Sequence, residues 1–373
     1  MLQEASTDQS ALSTNPETGW RSVVDAMPDP ALALDALGNV VHHNAAVADL
    51  FPRIRIGQPM TNVIRSADLL NAIDQVQNSG IVAVVELLDR VPVQRRVSAI
   101  VTALNFSIAA DADPVLLITL RDITDQEKLA QMRADFIAHA SHEMRTPLAS
   151  LRGFVETLQG PARNDPVARD RFLGIMATQA ARMTQLIDDL LSLSRIEMHV
   201  HVAPRGIVDL NEVVHFVAQT LEPVARSASV AIEIERLSGP AQIRGDREEL
   251  VQVVQNLTQN AIKYGRSPGQ VRVQIAREPS AQNGAKRLSI AVIDNGPGIP
   301  PEHLPRLTER FYRVSAMASR EKGGTGLGLA IVKNVVTRHR GELKITSTVG
   351  EGSTFKVIFD ETIPGAAQQP LAP

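Results

Sequence analysis

The chain has 373 residues, more than one ordinary hydrophobic core holds, so its length predicts two or three domains. Its apolar content of 44%, charged content of 21% and net charge of −3 are typical of a globular protein with no attraction to nucleic acid or to an anionic membrane surface. The absence of cysteine excludes disulfides and thiolate metal sites.

No run of about 18 apolar residues occurs, so the sequence predicts no transmembrane helix. The polar start MLQEASTDQS also lacks the layout of a signal peptide. We therefore expect either a cytoplasmic protein or the soluble part of a longer protein, with membrane association if upstream transmembrane segments are missing from this chain.

The first third of the chain contains a polar tail followed by short strands. Residues 1–18 carry few large apolar groups and predict a disordered tail. The stretch ALALDALGNVVHHNAA predicts two strands around a turn at Gly38 and then a helix start, and the helical period of DLLNAIDQVQNSG ends at Gly80. The runs VAVVELLD, RRVSAIVTALN and PVLLITLRDIT predict further strands. An antiparallel sheet with short helices, closed by LRDIT, resembles a PAS sensor domain.

Two long amphipathic helices follow, separated by the breaker GPARNDP (160–166). They form an antiparallel hairpin whose apolar stripe stays partly bare unless a second copy completes a four-helix bundle. The stripe of the first helix contains Phe136, Ala140, Met144, Leu148, Leu151, Val155 and Leu158, and that of the second contains Phe172, Ile175, Met176, Gln179, Met183, Leu186, Leu190 and Leu193.

The remaining residues, about 206–362, alternate helices and strands and predict an α/β sandwich with helices on one face. Asp209 with Glu212, and Asp246 with Glu249, have the spacing of capping boxes in which Asp is the cap. Strands are predicted at 230–236, 271–277, 287–294, 342–348 and 353–360.

The motif SHEMRTPL (141–148) places a histidine on the outside of the first long helix. His142 lies two residues from Ala140 and from Met144, which puts it about 200° around the helix axis from the apolar seam. It is therefore expected to be exposed and reachable. An ordinary solvated His–Glu pair is the alternative, but Pro147 argues against it, because proline inside a helix costs about 3 kcal/mol.

Three further motifs have the character of a nucleotide site: NLTQNAIKY (256–264), DNGPGI (294–299) and GGTGLGLAIVK (323–333). The first places Asn256, Asn260, Lys263 and Tyr264 on one helix face. The last brings backbone N–H groups and a helix N-terminus together, where phosphates bind. It is neither a P-loop nor a dinucleotide fingerprint, because no GK[ST] follows the glycines and the first strand–acidic residue arrangement is absent. Alone, the first two motifs also have ordinary structural interpretations, as a polar helix face and as a common turn.

In this order the four motifs resemble the sensor histidine kinases of two-component systems, whose ATPase fold is shared with type II topoisomerases, mismatch-repair ATPases and Hsp90 chaperones. Within the family, RADFIAHASHEMRTPLASLRGFVETLQGP is most similar to the phosphate-regulon sensors (PhoR-type). The resemblance implies a multidomain α+β chain: a tail at 1–18, a PAS-like domain at 19–122, a dimerising phosphoacceptor hairpin at 123–203, an ATP-binding domain at 206–362, and a disordered tail at 363–373.

The resemblance also implies roles for particular residues with ATP and Mg²⁺ as cofactors. Asn260 would be the Mg²⁺ ligand, Asn256 and Lys263 would contact phosphate oxygens, and Tyr264 would border the adenine. Asp294 would accept a bond from the adenine amino group, while Gly296 and Gly298 let the backbone pass close to the base. The phosphate loop would consist of Gly324, Thr325, Gly326, Leu327 and Gly328. A mobile lid at 301–322 would be anchored by Phe311 and Tyr312, with Arg310 and Arg313 contacting phosphate or an adjacent helix.

The implied function is autophosphorylation of His142, followed by transfer to an aspartate of a separate response regulator. Glu143 would be the general base, and Thr146 would assist dephosphorylation of the regulator. The chain would act as a homodimer, without nucleic acid, in signalling such as phosphate starvation. A small ligand or a regulatory protein at the PAS-like domain is left open, and haem at His42 and His43 is disfavoured.

Two other classes of function remain as alternatives. The chain would be a signalling scaffold if the ATP site only regulated it, and a chaperone-like or DNA-acting ATPase if it hydrolysed ATP without forming a stable phosphoprotein.

Overall fold

A computed structural model describes residues 16–89, 95–104, 115–279, 286–314 and 324–362. The chain forms two compact units, Met1–Asp135 and Phe136–Pro373. Most of the first predicted tail (1–15), the second tail (363–373) and part of the predicted lid (315–322) lie outside the described residues. None of the helices in the described ranges combines the length and the apolar character needed to cross a membrane.

The first unit contains an antiparallel five-stranded sheet with the order β2-β1-β5-β4-β3. Its strands are β1 Ala31–Leu34, β2 Val40–His43, β3 Ala83–Asp89, β4 Arg95–Ala103 and β5 Leu116–Asp122. The predicted turn lies between β1 and β2, where Gly38 takes a positive φ of 78°. The strands expected from the branched aliphatic runs are therefore confirmed, and their inward-facing residues form the core of this unit.

Three α-helices accompany this sheet: α1 Pro16–Asp25, α2 Ala45–Leu50 and α3 Ala67–Ser79, together with a short 3₁₀ turn at Met60–Asn62. Helix α1 corrects the sequence prediction, because residues 16–18 begin a helix instead of ending a disordered tail. The apolar contacts of α1 come from Val24, which is buried, and from Trp20, whose ring meets His42 edge-on at 5.6 Å. Both residues lie beyond the polar stretch on which the tail prediction rested.

The predicted hairpin consists of α4 Thr124–Gln159 and α5 Pro166–Met198. Helix α4 continues through Pro147, and the division between the two units falls within this helix. Helix α5 begins one residue earlier than expected, since Pro166 occupies its first turn and the Asp165 side chain caps it by accepting from the Val167 and Ala168 N–H groups.

The apolar stripe of the hairpin is only partly covered. Leu186, Leu193 and Ile196 of α5 are buried in the core of the second unit. Ala140 of α4 is also buried. Other large apolar side chains of the two helices are exposed to solvent, among them Ile137, Leu148 and Val155 on α4 and Leu173, Ile187 and Leu191 on α5.

The second unit contains a five-stranded sheet with the order β11-β12-β10-β9-β7, in which only β7 and β9 are parallel. These strands are β7 Val230–Glu235, β9 Gly269–Glu278, β10 Arg287–Asp294, β11 Glu342–Thr348 and β12 Gly352–Asp360. The strand predictions are thus confirmed to within two residues. The additional pair β6 Ile207–Asp209 and β8 Gln242–Arg244 was missed, because three residues are too few to show an alternation of side chains.

Three helices bury their apolar faces in the core of the second unit: α6 Leu210–Ser227, α7 Arg247–Tyr264 and α8 Gly328–Arg338. Asp209 and Asp246 cap α6 and α7 as expected. In a capping box the Glu249 side chain would also accept a bond from the Asp246 N–H. That expectation is wrong, because the Asp246 N–H donates to Nε2 of His339 (3.0 Å) and Glu249 pairs with Arg338. A long-range contact replaces the local capping box at this helix.

Candidate active site

The predicted phosphoacceptor lies on the outside of α4. His142 is exposed, whereas Glu143 and Met144 beside it are half-buried. The Thr146 hydroxyl donates to the His142 carbonyl oxygen (3.3 Å), which turns the threonine back onto the turn that carries the histidine. The expectation that His142 faces away from the packed seam is confirmed.

Glu143 is held by two arginines from other elements. Its carboxylate accepts a bond from Nη2 of Arg313 (2.8 Å) and lies 3.7 Å from Nη2 of Arg182 on α5. Arg313 belongs to the segment between the DNGPGI and GGTGLGL motifs. The structure therefore links the predicted general base of α4 to the predicted nucleotide site.

The polar residues of α7 share one face, as the spacing predicted. Asn256, Asn260 and Lys263 are half-buried, and Tyr264 is 37% exposed at the end of the helix. Asn256 lies beside the first residue of α8, since a Cβ on Gly328 would stand 3.4 Å from its Oδ1 atom. Its Nδ2 atom is buried, and no partner for it exists among the described residues. A buried amide donor without a partner, on a side chain beside a helix N-terminus, fits a bound phosphate oxygen.

Asp294 ends β10 and forms a tight turn with Gly296. One carboxylate oxygen accepts from the Gly296 N–H (2.8 Å), and the Ser353 backbone donates a further bond. Burial raises the pKa of Asp294, and these two bonds oppose the rise. A Cβ on Gly296 would lie 3.2 Å from the Tyr264 carbonyl oxygen, so this turn stands directly against the end of α7.

The glycine-rich loop is anchored at Thr325. Its hydroxyl donates to Oδ2 of Asp189 on α5 (2.7 Å), and its carbonyl oxygen accepts from Arg313 (3.0 Å). Gly326 takes a positive φ of 74°, and a Cβ there would lie 2.9 Å from the Phe311 backbone, so only glycine fits. The Leu327 side chain is buried in the core, so any phosphate contact by this residue comes from its backbone.

The remaining two predicted glycines have different surroundings. Gly324 is buried at the start of the described part of the loop. Gly298 takes a positive φ of 73° and packs against the backbone of Thr348 and Val349, at the end of β11. The structure therefore places Gly298 at the rim of the sheet and does not bring it into contact with the loop at 324–328.

The segment that precedes the glycine loop contacts the hairpin through its aromatic and basic residues. Phe311 stacks on His139 with ring centroids 5.6 Å apart, and it also meets Phe136 at 5.8 Å. Arg310 donates to Glu197 of α5 (2.6 Å). Of the two expectations for Arg310 and Arg313, contact with an adjacent helix is the one that the structure shows.

Three polar residues of α5 take part in this arrangement, although the sequence analysis missed them: Arg182, Asp189 and Glu197. The prediction for α5 rested on its apolar periodicity, which says nothing about its polar residues. Asp189 itself carried a signal, because it lies three residues after Leu186 and four before Leu193, within the stripe that is otherwise apolar. A carboxylate in that position indicates a specific partner.

The centre of the site is cationic. Burial lowers the pKa of Lys263, and the charges of Arg182 and Arg313 lower it further, whereas Asp189 opposes them. The three basic side chains outnumber the two acids beside them, Asp189 and Glu143, and this excess of positive charge suits a ligand that carries several negative charges, such as a polyphosphate. The half-buried Asn260 supplies an amide oxygen of the type that Mg²⁺ accepts as a ligand.

Comparison with known proteins agrees with this geometry. The family described as the His Kinase A (phospho-acceptor) domain matches residues 132–199. The family described as the histidine kinase-, DNA gyrase B-, and HSP90-like ATPase matches residues 245–363. The chain belongs to the sensor histidine kinases of two-component systems.

Individual proteins are also similar to this chain. The phosphate regulon sensor protein PhoR of Pseudomonas aeruginosa is 35% identical over 339 residues, which cover 90% of this chain and 72% of that protein. The sensor protein kinase WalK of Staphylococcus saprophyticus is 30% identical over 90% of this chain, which spans about half (53%) of the WalK length. A solved complex of the histidine kinase ThkA with the response regulator protein TrrA is 17% identical over 91% of this chain and 98% of that one, with a TM-score of 0.47.

Proposed function

We propose that this chain binds Mg–ATP and transfers the γ-phosphoryl group to His142. The observation that carries the proposal is the bonding of Arg313 to both Glu143 and the Thr325 carbonyl oxygen, because it joins the turn of His142 to the glycine loop. A surface histidine without a nearby nucleotide site would not have such a connection.

Different residues of the second unit contact different parts of the nucleotide. Asp294 accepts from the adenine amino group, and Asn256, Lys263 and the loop 324–328 hold the phosphates. Asn260 supplies the protein ligand for Mg²⁺, which neutralises charge on the phosphate oxygens when it is bound. The unpartnered Nδ2 atom of Asn256 supports this division.

Transfer requires a free imidazole lone pair and a proton acceptor. One ring nitrogen of His142 forms the new N–P bond while the bond from the γ-phosphorus to the ADP oxygen breaks. The proton on the other ring nitrogen passes to the Glu143 carboxylate. In the arrangement described here Arg313 and Arg182 occupy that carboxylate, so the segment bearing Arg313 must leave Glu143 before transfer.

Radiolabelling with γ-labelled ATP tests the assignment. We expect His142→Gln to abolish the acid-labile label and to leave ATP affinity within about twofold, since His142 lies outside the α7 face. His201→Gln is the control, because His201 is also an exposed histidine. Label on His142→Gln equal to that on the wild type would refute the acceptor assignment, and ATP hydrolysis without label would favour the ATPase alternative.

We further propose that an aspartate of a response regulator receives the phosphoryl group, and that the same chain dephosphorylates that regulator. The Thr146 hydroxyl stands one turn beyond His142, which supports a role in placing water near the acyl phosphate. Thr146→Ala should spare autophosphorylation and slow the decay of purified phosphorylated regulator in the presence of ADP. Thr146→Ser is the control that keeps the hydroxyl, and equal decay with Thr146→Ala would exclude this role.

Three broader proposals concern the first unit, the signal and the oligomeric state. The strand order of the first unit supports a PAS-like sensor domain. The similarity to PhoR supports phosphate limitation as the signal, and a reporter of phosphate-starvation genes should lose its response when this chain is deleted. The exposed stripes of α4 and α5 support a homodimer, in which a second copy covers them.

A further inference from the structure

Asp189 is a buried carboxylate that points from the hairpin helix α5 into the glycine-rich loop. It is only 5% exposed, and both of its oxygens are used. Oδ1 accepts from Nε2 of Gln185 (2.7 Å), and Oδ2 accepts from the Thr325 hydroxyl (2.7 Å). Gln185 lies one turn earlier on the same helix, so it orients the carboxylate, whereas Thr325 belongs to a different element.

The bond to Thr325 fixes more than one side chain. With its proton on Asp189, the Thr325 hydroxyl oxygen accepts the N–H of Leu327 (3.3 Å), while Arg313 holds the Thr325 carbonyl oxygen (3.0 Å). Three successive residues before α8 therefore take their conformation from contacts that start at Asp189 and Arg313. The backbone N–H groups of this loop are those that would face the phosphates.

We propose that Asp189 is a positioning residue that holds the glycine loop, through Thr325, in the conformation that binds the phosphate groups of the nucleotide. The proposal rests on the function proposed above, because it assigns Asp189 to the same nucleotide site. A loop fixed before binding loses less conformational freedom when the phosphates arrive, which raises affinity for phosphate-bearing ligands alone. The adenine end, near Asp294, has no contact with Asp189.

A rival account gives Asp189 the opposite effect. A carboxylate close to a triphosphate repels it, so removal of the charge would tighten binding. Lys263 lies close enough to Asp189 for each charge to shift the pKa of the other, so Lys263 partly compensates the charge of the carboxylate. Each Asp189 oxygen also accepts a bond of 2.7 Å, which fixes the carboxylate and favours the positioning effect.

The test measures the affinities of the full chain for Mg–ATP, ADP and adenosine by calorimetry. Asp189→Ala and Thr325→Val should each weaken Mg–ATP and ADP by about tenfold, the usual size of a lost bond to a charged group, and leave adenosine unchanged. The double variant should be no weaker than either single variant, since both remove the same bond. Asp189→Asn and Thr325→Ser should stay within about threefold of the wild type, because both keep a hydrogen bond.

Ser192→Ala is the matched control, because Ser192 lies on the same helix and bonds Gln252 of α7 (2.8 Å) without touching the loop. Its nucleotide affinities should match those of the wild type. Tighter binding by Asp189→Ala, equal losses for adenosine and ATP, or additive losses in the double variant would each overturn the proposal. If Asp189→Ala does not fold, Thr325→Val and the Asp189→Asn rescue decide. A wild-type chain that binds no nucleotide would overturn the proposed function itself, which is a distinct result.

Discussion

Asp294 is a half-buried carboxylate and Asp189 a buried one, and for both of them burial raises the pKa while specific hydrogen bonds oppose the rise. Their partners differ in kind. Asp294 is bonded by backbone N–H groups of its own sheet and turn, whereas Asp189 is bonded by side chains of α5 and of the glycine loop. The first carboxylate is therefore fixed by the fold of the α/β sandwich, and the second depends on contact with the hairpin.

Asp294→Ala should weaken the binding of ATP, ADP and adenosine to the same extent, by about tenfold, because the contact proposed for Asp294 is with the base that all three share. Isothermal titration of each ligand measures the effect. Asp360→Ala is the control, since Asp360 is exposed at the end of β12. A loss confined to ATP would contradict the assignment of Asp294 to the base.

At the scale of elements, helices α7 and α8 are joined at a buried histidine. His339, the C-cap residue of α8, accepts the Asp246 N–H at the start of α7 through Nε2, and its Nδ1–H donates to the Val335 carbonyl oxygen (2.9 Å). This pattern requires the neutral ring. Burial lowers the His339 pKa below 6.5, with Arg338 lowering it further, while Asp246 and the bond to Val335 oppose the shift. The Glu249 carboxylate lies 3.8 Å from Nδ1 on the same side.

The lowered pKa of His339 predicts loss of stability in acid. The unfolded chain takes up the proton as the pH falls below about 6.5, and the folded chain does so only at lower pH, so the free energy of unfolding decreases in that window. The His339→Gln variant should have a lower free energy of unfolding than the wild type at about pH 7.5. Between about pH 7.5 and 5.5 that free energy should decrease less in the variant than in the wild type. Thermal unfolding measures both slopes, with the exposed His201→Gln as control. Parallel slopes for the wild type and His339→Gln would rule out the effect.

Local sequence patterns predict the strands and the helix faces, but not the contacts between distant residues. Seven of the ten strands in the two five-stranded sheets are seven residues or longer and are rich in aliphatic residues, and the prediction located them closely. The bond that the Asp246 N–H donates to His339 joins residues 93 positions apart, so no local sequence pattern predicts it. In the site, helical spacing predicted the shared face of Asn256, Asn260 and Lys263. The bonds from α5 to the loop depend on how the hairpin packs, which periodicity does not specify.

At the scale of the whole molecule, the hairpin carries two exposed apolar stripes. Ile137, Leu148 and Val155 lie within about 20° of one another around α4. Leu173, Ile187 and Leu191 lie within about 40° around α5. Aligned large apolar side chains on adjacent helices indicate a surface that a second hairpin covers.

If a second copy covers these stripes, as proposed above, Leu191→Glu should convert the dimer into a monomer, because it places a charge in the proposed interface. Light scattering coupled to gel filtration measures the mass. Val167→Glu is the matched control: Val167 is more exposed than Leu191 (79% against 56%) but lies about 120° away around the same helix. An unchanged dimer with Leu191→Glu would refute this interface.

The position of the phosphoryl group after incubation with Mg–ATP tests most directly whether His142 is the acceptor. The chain is digested at neutral or alkaline pH, where phosphohistidine survives, and its peptides are sequenced by mass spectrometry. We predict a single modified residue, His142, in the peptide that contains SHEMR, and loss of the modification after brief acid treatment. Modification of a serine, threonine or other histidine, or ATP turnover without any phosphopeptide, would contradict the assignment.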